Sequence, residues 1–151
     1  CAKYNVLYII NDDVDLAVAV NADGVHVGQE DMCLEEVRHL VGNKVVGISI
    51  HSVEELHKTD VVYADCVGVG PMYTTSSKPD AQEPCGPNRI TELQAEGLTL
   101  PCVGIGGITL DNAEPVLQAG ACGVAVISAI AHANNPYEAA QAFKKLANRA
   151  Q

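Results

Sequence analysis

Two groups of residues in this 151-residue chain have the types and spacing for ionic chemistry. The first is carboxylate-rich. Asn11-Asp12 follows the apolar run Leu7-Tyr8-Ile9-Ile10, and Glu30-Asp31 closes the run Gly24-Val25-His26-Val27-Gly28-Gln29. If those runs are neighbouring strands, hard oxygen ligands meet at two adjacent strand ends, which suits Mg2+, a cation that keeps waters and bridges to phosphate. The second group is Thr74-Thr75-Ser76-Ser77-Lys78, soon after Gly68-Val69-Gly70-Pro71. Hydroxyl donors, exposed backbone N–H groups and one ammonium are what a cluster of anionic oxygens needs. Walker spacing is absent, so this is not an ordinary P-loop.

Each group also has a plainer reading. Asn11-Asp12 can cap a helix beginning near Val14, and Asp31 can cap the segment that carries Leu34, Val37 and Leu40. His26, inside a short strand, is more often a satisfied core histidine than a catalytic one. A Ser/Thr loop can simply be solvated. The pattern is closed by Gly104-Ile105-Gly106-Gly107-Ile108-Thr109 and by Gly120 to Ser128, where glycines let backbone approach a ligand. Consecutive strand-to-helix loops of this kind, late in the chain, match the usual phosphate site of a β/α barrel.

The elements that must position these residues are legible as alternating runs. Val6 to Ile10, Gly24 to Val27, Val45 to Ile48, Cys66 to Val69, Cys102 to Ile105 and Gly123 to Ile127 read as strands, each followed by a helical pattern. Ser52-Val53-Glu54-Glu55 is a capping-box signature, and Pro136 suits the first turn of a last helix with Ala139, Ala142, Phe143 and Leu146 on one face. Met72 to Asn88 lacks periodicity and is rich in Thr, Ser, Pro and Asp, which marks a functional loop. Polar clusters after all six strands favour a (β/α)8 TIM-barrel type of α/β fold over an open doubly wound sheet. Six βα units are present where closure normally takes eight, and the chain is shorter than the roughly 200 residues at the low end for such barrels. The expectation is one incomplete barrel domain over residues 1–151.

Composition narrows the partners. A formal charge of -10, no Trp and one Phe argue against nucleic-acid binding, where a basic stripe and stacking rings are expected. No apolar run is long enough to cross a bilayer and no signal-peptide pattern opens the chain. Six scattered cysteines without a C-x-x-C pair read as reduced thiols of a cytoplasmic protein.

Taken in order, Ile9-Ile10-Asn11-Asp12, Asp23 to Asp31, Gly47-Ile48-Ser49, Gly68-Val69-Gly70-Pro71 with Thr75-Ser76-Ser77-Lys78, Gly104 to Ile108 and Ala125-Val126-Ile127-Ser128 closely resemble the thiamine-phosphate synthase family. The resemblance runs along nearly the whole chain. It implies a Mg2+-dependent transferase that joins an aminomethylpyrimidine diphosphate to a thiazole phosphate and releases pyrophosphate. By the same resemblance Asp12 and Asp31 hold Mg2+, while Asn11, Ser49 and Lys78 contact the pyrimidine diphosphate, Ser49 and Lys78 as catalytic groups. Thr75, Ser76, Ser77, Gly107, Ile127 and Ser128 hold the thiazole phosphate, and Gln29 and His26 are weaker carry-overs. The family's first two βα units, with a Gln-Leu-Arg-x-Lys type motif, have no counterpart, so a homo-oligomer or a complementing N-terminal chain is expected to cover the open strand edges. Two alternatives stand beside the transferase. One is a thiazole tautomerase-like isomerase using a histidine such as His26 for proton transfer, and the other is a non-catalytic thiazole-phosphate-binding fragment.

Overall fold

The computed structural model describes residues 1–77 and 82–150. Six parallel strands form one sheet in sequential order: β1 (Ile9–Asn11), β2 (Gly24–Val27), β3 (Val45–Ile50), β4 (Cys66–Val69), β5 (Cys102–Ile105) and β6 (Gly123–Ala125). Helices α1 (Val14–Ala19), α2 (Leu34–Val41), α3 (Val53–Lys58), α4 (Asn88–Ala95) and α5 (Ala113–Gln118) make the crossovers, and α6 (Ser128–Ala131) and α7 (Pro136–Ala150) follow β6. Strictly sequential order with a helix after each strand is the winding of a β/α barrel, here a curled half-barrel.

Partners in a parallel ladder point to the same face, and side chains two apart on a strand share it. The pairs Ile10↔Val25, Val25↔Val46, Ile48↔Val67 and Val67↔Cys102 therefore lie on one face, and all six of these residues are buried under the helices. Val37 of α2, Ile90 and Leu93 of α4 and Val116 of α5 complete that core. The other face carries Asn11↔His26, His26↔Gly47 and Ser49↔Gly68. Polar and glycine positions thus line the concave side, where Ile9 and Ile105 remain 36% and 40% exposed.

Three strand ends differ from the sequence reading. Val6, Leu7 and Tyr8 are outside β1 because its partner β2 begins at Gly24; Tyr8 meets Asp23, donating its N–H to the Asp23 carboxylate and accepting the Asp23 N–H. β3 runs on through Ser49 and Ile50, which pair with Gly68 and Val69. β6 stops at Ala125, opposite Ile105, after which Gly106 turns with φ 92° and the partner strand ends.

The capping expectations divide. Ser52 Oγ accepts from Glu55 N at 3.1 Å and starts α3 as the motif implies. At α1 the cap is Asp13, whose Oδ1 accepts from Leu16 N at 2.8 Å, so the Asn11-Asp12 pair is not spent on the helix. α2 is preceded by Cys33 without a side-chain cap, and Asp31 instead closes its own turn by accepting the Gly28 N–H at 2.6 Å. In α7, Phe143 is buried and Ala139, Ala142 and Leu146 are half-buried on the expected face.

Candidate functional site

The C-terminal strand ends open into a cavity of about 930 Å³. It is lined from β1 by Asn11 and Asp12, from β2 by His26 and Asp31, from β3 by Ser49, from the loop after β4 by Thr75 and Ser77, from the loop after β5 by Gly107, and from β6 onward by Ile127 and Ser128. Of the residues singled out from the sequence, these are brought to one mouth. Ser76 is exposed but does not line it, and Lys78 lies outside the described residues.

His26 occupies the middle of the concave face. Its Nε2 shares a 2.9 Å hydrogen bond with Ser49 Oγ. The ring lies across Gly47 of β3 and Gly68 of β4: a Cβ at residue 47 would strike Nδ1, and one at residue 68 would come within 2.9 Å of Cε1. Glycine on two successive strands is what leaves room for an imidazole inside the barrel. Burial lowers the His26 pKa, with Asp12 and Asp31 pulling the other way. Burial thus favours the uncharged imidazole, and two carboxylates stand close enough to act on it.

Asp12 takes φ 65°, an uncommon left-handed conformation for a non-glycine residue, and its N–H donates to the His26 carbonyl at 2.8 Å. The β1 chain is thereby tied to β2 where both carboxylates emerge, and Asp12 and Asp31 are both exposed at the mouth. Among the described residues no group of three or more His, Cys, Asp or Glu side chains is arranged to hold a metal ion. Mg2+ takes one or two carboxylates from protein and completes its shell with water and phosphate oxygens, so Asp12 and Asp31 fit it without a larger cluster.

The loop after β4 is laid over the loop after β5. Met72 N donates to Ile105 O at 2.8 Å, Tyr73 N to Gly106 O at 3.0 Å, and the Tyr73 hydroxyl to Asn112 O at 2.8 Å. Gly107, at φ 65°, packs so tightly under Tyr73 and Thr74 that a Cβ would meet their carbonyl oxygens at 2.7 and 2.6 Å. Thr75 Oγ1 accepts the Ser77 N–H at 3.1 Å and turns the hydroxyl run back over the mouth. The glycines after β5 therefore serve loop packing as well as access.

Two further residues line the mouth: Gln29, a weaker carry-over from the resemblance, and His51, which the sequence reading passed over. Gln29 donates from Nε2 to Ser49 O at 2.7 Å and accepts from Thr59 Oγ1 at 3.1 Å, bracing the end of β3. His51 also lines the cavity, with Nδ1 2.9 Å from Gly70 O. Its only sequence signal was its place two residues after Ser49, with side chains alternating along an extended segment.

The fold and mouth define a class: a β/α barrel-type protein with a candidate site built from consecutive strand ends, carrying carboxylates on one side and hydroxyls on the other. Comparison with known proteins makes the class specific. Residues 1–130 match the family model for thiamine monophosphate synthase, and the chain belongs to that family. It is 52% identical over 143 residues to the thiamine-phosphate synthase of Geobacillus thermodenitrificans, covering 95% of this chain and 65% of that protein. It is 47% identical over 150 residues to the thiamine-phosphate synthase of Anoxybacillus flavithermus, covering 99% of this chain and 69% of that one. The solved thiamine phosphate pyrophosphorylase from Pyrococcus furiosus superposes with a TM-score of 0.87 at 36% identity, over 99% of this chain and 71% of the other. The chain thus spans about two thirds of the length of its relatives. Among the described residues no helix is long and apolar enough to cross a membrane.

Proposed function

We propose that this chain carries the substrate mouth of a thiamine-phosphate synthase, a transferase that joins an aminopyrimidine methyl diphosphate to a hydroxyethylthiazole phosphate and releases pyrophosphate. The observation that carries the reading is the convergence, on one cavity of about 930 Å³, of a carboxylate pair on one side and a hydroxyl and glycine loop system on the other. Two anionic ligands need two differently built subsites, and the two unlike sides of the cavity support that reading.

In this reading Asp12 and Asp31 hold Mg2+ against the diphosphate, supplying charge neutralisation to the leaving group. Asn11 and Ser49 contact the pyrimidine diphosphate, and Lys78 adds an ammonium to the departing pyrophosphate. Thr75, Ser77, Gly107, Ile127 and Ser128 receive the thiazole phosphate through hydroxyl and backbone N–H donors, while Ser76, outside the cavity lining, takes no part. Rate acceleration then comes mainly from stabilising negative charge as the carbon–oxygen bond breaks and from holding the thiazole nitrogen in line with that carbon. The alkylated nitrogen has no proton to lose, so His26 need not act as a base. Its hydrogen bond instead orients the Ser49 hydroxyl toward the ligand. The six free thiols support a reducing, cytoplasmic setting.

A second reading is favoured by one observation. A neutral, half-buried His26 beside a serine hydroxyl also suits proton transfer on a thiazole phosphate, as an isomerase would need. Calorimetry with inorganic pyrophosphate and with hydroxyethylthiazole phosphate, each with and without Mg2+, separates the two. The transferase reading expects both to bind, pyrophosphate only with Mg2+, and expects pyrophosphate release on turnover. Binding of the thiazole phosphate alone, with solvent hydrogen exchange into it, would support the isomerase instead.

A further inference from the structure

His51 is the imidazole at the mouth to which the chemistry above gives no part. It follows the end of β3 and is held at two points. Its backbone N–H donates to Glu55 Oε2 at 2.6 Å, so the cap of α3 fixes its main chain. Its ring Nδ1 lies 2.9 Å from Gly70 O at the end of β4. A carbonyl oxygen only accepts, so Nδ1 carries the hydrogen, and the neutral ring is the Nδ1–H tautomer.

The acceptor is informative. Gly70 is the residue from which the chain enters the segment pinned over β5 through Met72 and Tyr73, and that segment leads directly to Thr75 and Ser77. Gly70 is itself packed so closely on the Ile105 carbonyl that no Cβ fits there. The β4 end is thus gripped from β5 on one side and by the His51 ring on the other. Ser49, two residues before His51, belongs to the opposite subsite.

We propose that His51 is a positioning residue that sets the hydroxyl loop of Thr75 and Ser77 against the Ser49 end of β3, and so fixes the spacing between the two anion subsites. This rests on the two-subsite reading above. The ring acts through the Gly70 carbonyl and not by contact with substrate. Loss of the donor releases the loop but leaves the carboxylate side in place, so the thiazole-phosphate subsite, built on that loop, suffers more than the diphosphate side, which keeps Asp12 and Asp31 and shares with the loop only the adjoining Lys78.

The test compares His51→Phe, which keeps the ring volume without a donor, with His51→Asn, whose amide nitrogen can donate where Nδ1 does. Hydroxyethylthiazole phosphate, and pyrophosphate with Mg2+, are titrated into each variant and into the unsubstituted chain by calorimetry. His51→Phe should bind the thiazole phosphate roughly tenfold more weakly, the scale of one lost hydrogen bond, with a clearly smaller loss for pyrophosphate. His51→Asn should recover most of the loss. In the unsubstituted chain, imidazole 15N shifts should report the Nδ1–H tautomer for His51. Equal thiazole-phosphate affinity in His51→Phe, an equal loss for both ligands, equal weakening by Asn and Phe, or an Nε2–H tautomer would each overturn the inference while the two-subsite reading stands. Failure of the unsubstituted chain to bind either ligand would overturn both.

Discussion

His26 Nε2 and Ser49 Oγ stand 2.9 Å apart on adjacent strands, and the space for that contact is made by glycines at residues 47 and 68. The imidazole spans the concave face from β2 toward β4 at the floor of the cavity it helps to line. It connects the two carboxylates that act on it electrostatically with the Ser49 hydroxyl at the cavity.

Gly47→Ala should therefore act on the site through His26. The added methyl meets Nδ1 and forces the ring off Ser49, a steric insertion that costs about 1–3 kcal/mol of stability. Urea unfolding measures it. Gly68→Ala, whose methyl meets Cε1 at 2.9 Å, should cost less. If the clash is the cause, Gly47→Ala placed on a His26→Ala background should lose most of its penalty; additive losses would refute the coupling.

The lowered His26 pKa has a direction in stability. The unfolded histidine takes its proton near 6.5, whereas burial makes the folded one resist it. Above 6.5 both states are neutral and His26 contributes no slope. As pH falls below 6.5 toward the lower folded value, the unfolded chain binds the extra proton and stability declines. His26→Asn should flatten this part of the stability profile, measured by urea unfolding between pH 5 and pH 7.5. An unchanged slope would show that other groups carry it.

Asp12→Asn and Asp31→Asn should each weaken Mg2+-dependent pyrophosphate binding, by tenfold or more if the carboxylates share the ion, as removal of half of a two-carboxylate set implies. Thiazole-phosphate affinity should change little. Each substitution should also lower the His26 pKa further, since both carboxylates now raise it. An NMR titration of the His26 ring reads this second effect without any ligand.

Cys102 provides a contrast at the other end of the strands. Buried at the start of β5, its thiol is pushed up to about 11, mainly by burial and then by the nearby Cys122 and Cys66. At pH 8 it should resist iodoacetamide while the exposed Cys1, Cys33 and Cys122 react. Peptide mass mapping of the native protein checks the order, and early labelling of Cys102 would contradict the burial.

The alternation of apolar runs and capped helices in the sequence was enough for a parallel α/β architecture with six units, because strand period and helix period leave different residue patterns. Gly24–Val27, Cys66–Val69 and Cys102–Ile105 have the limits their apolar runs suggest. The carboxylates after β1 and β2 and the hydroxyls after β4 were legible too, since in a parallel sheet every strand-to-helix loop faces the same end. Local sequence could not say which polar residue serves a helix and which serves the mouth. Asp13 rather than Asp12 caps α1, and Asp31 closes its own turn, because those choices depend on where the neighbouring backbone N–H groups lie. It was equally silent on His51, whose partner is the Gly70 carbonyl nineteen residues on. It did not reveal that Gly47 and Gly68 exist to admit a histidine from β2. A strand's own sequence determines which face each side chain takes, but strand register and distance across the sheet decide what that side chain meets.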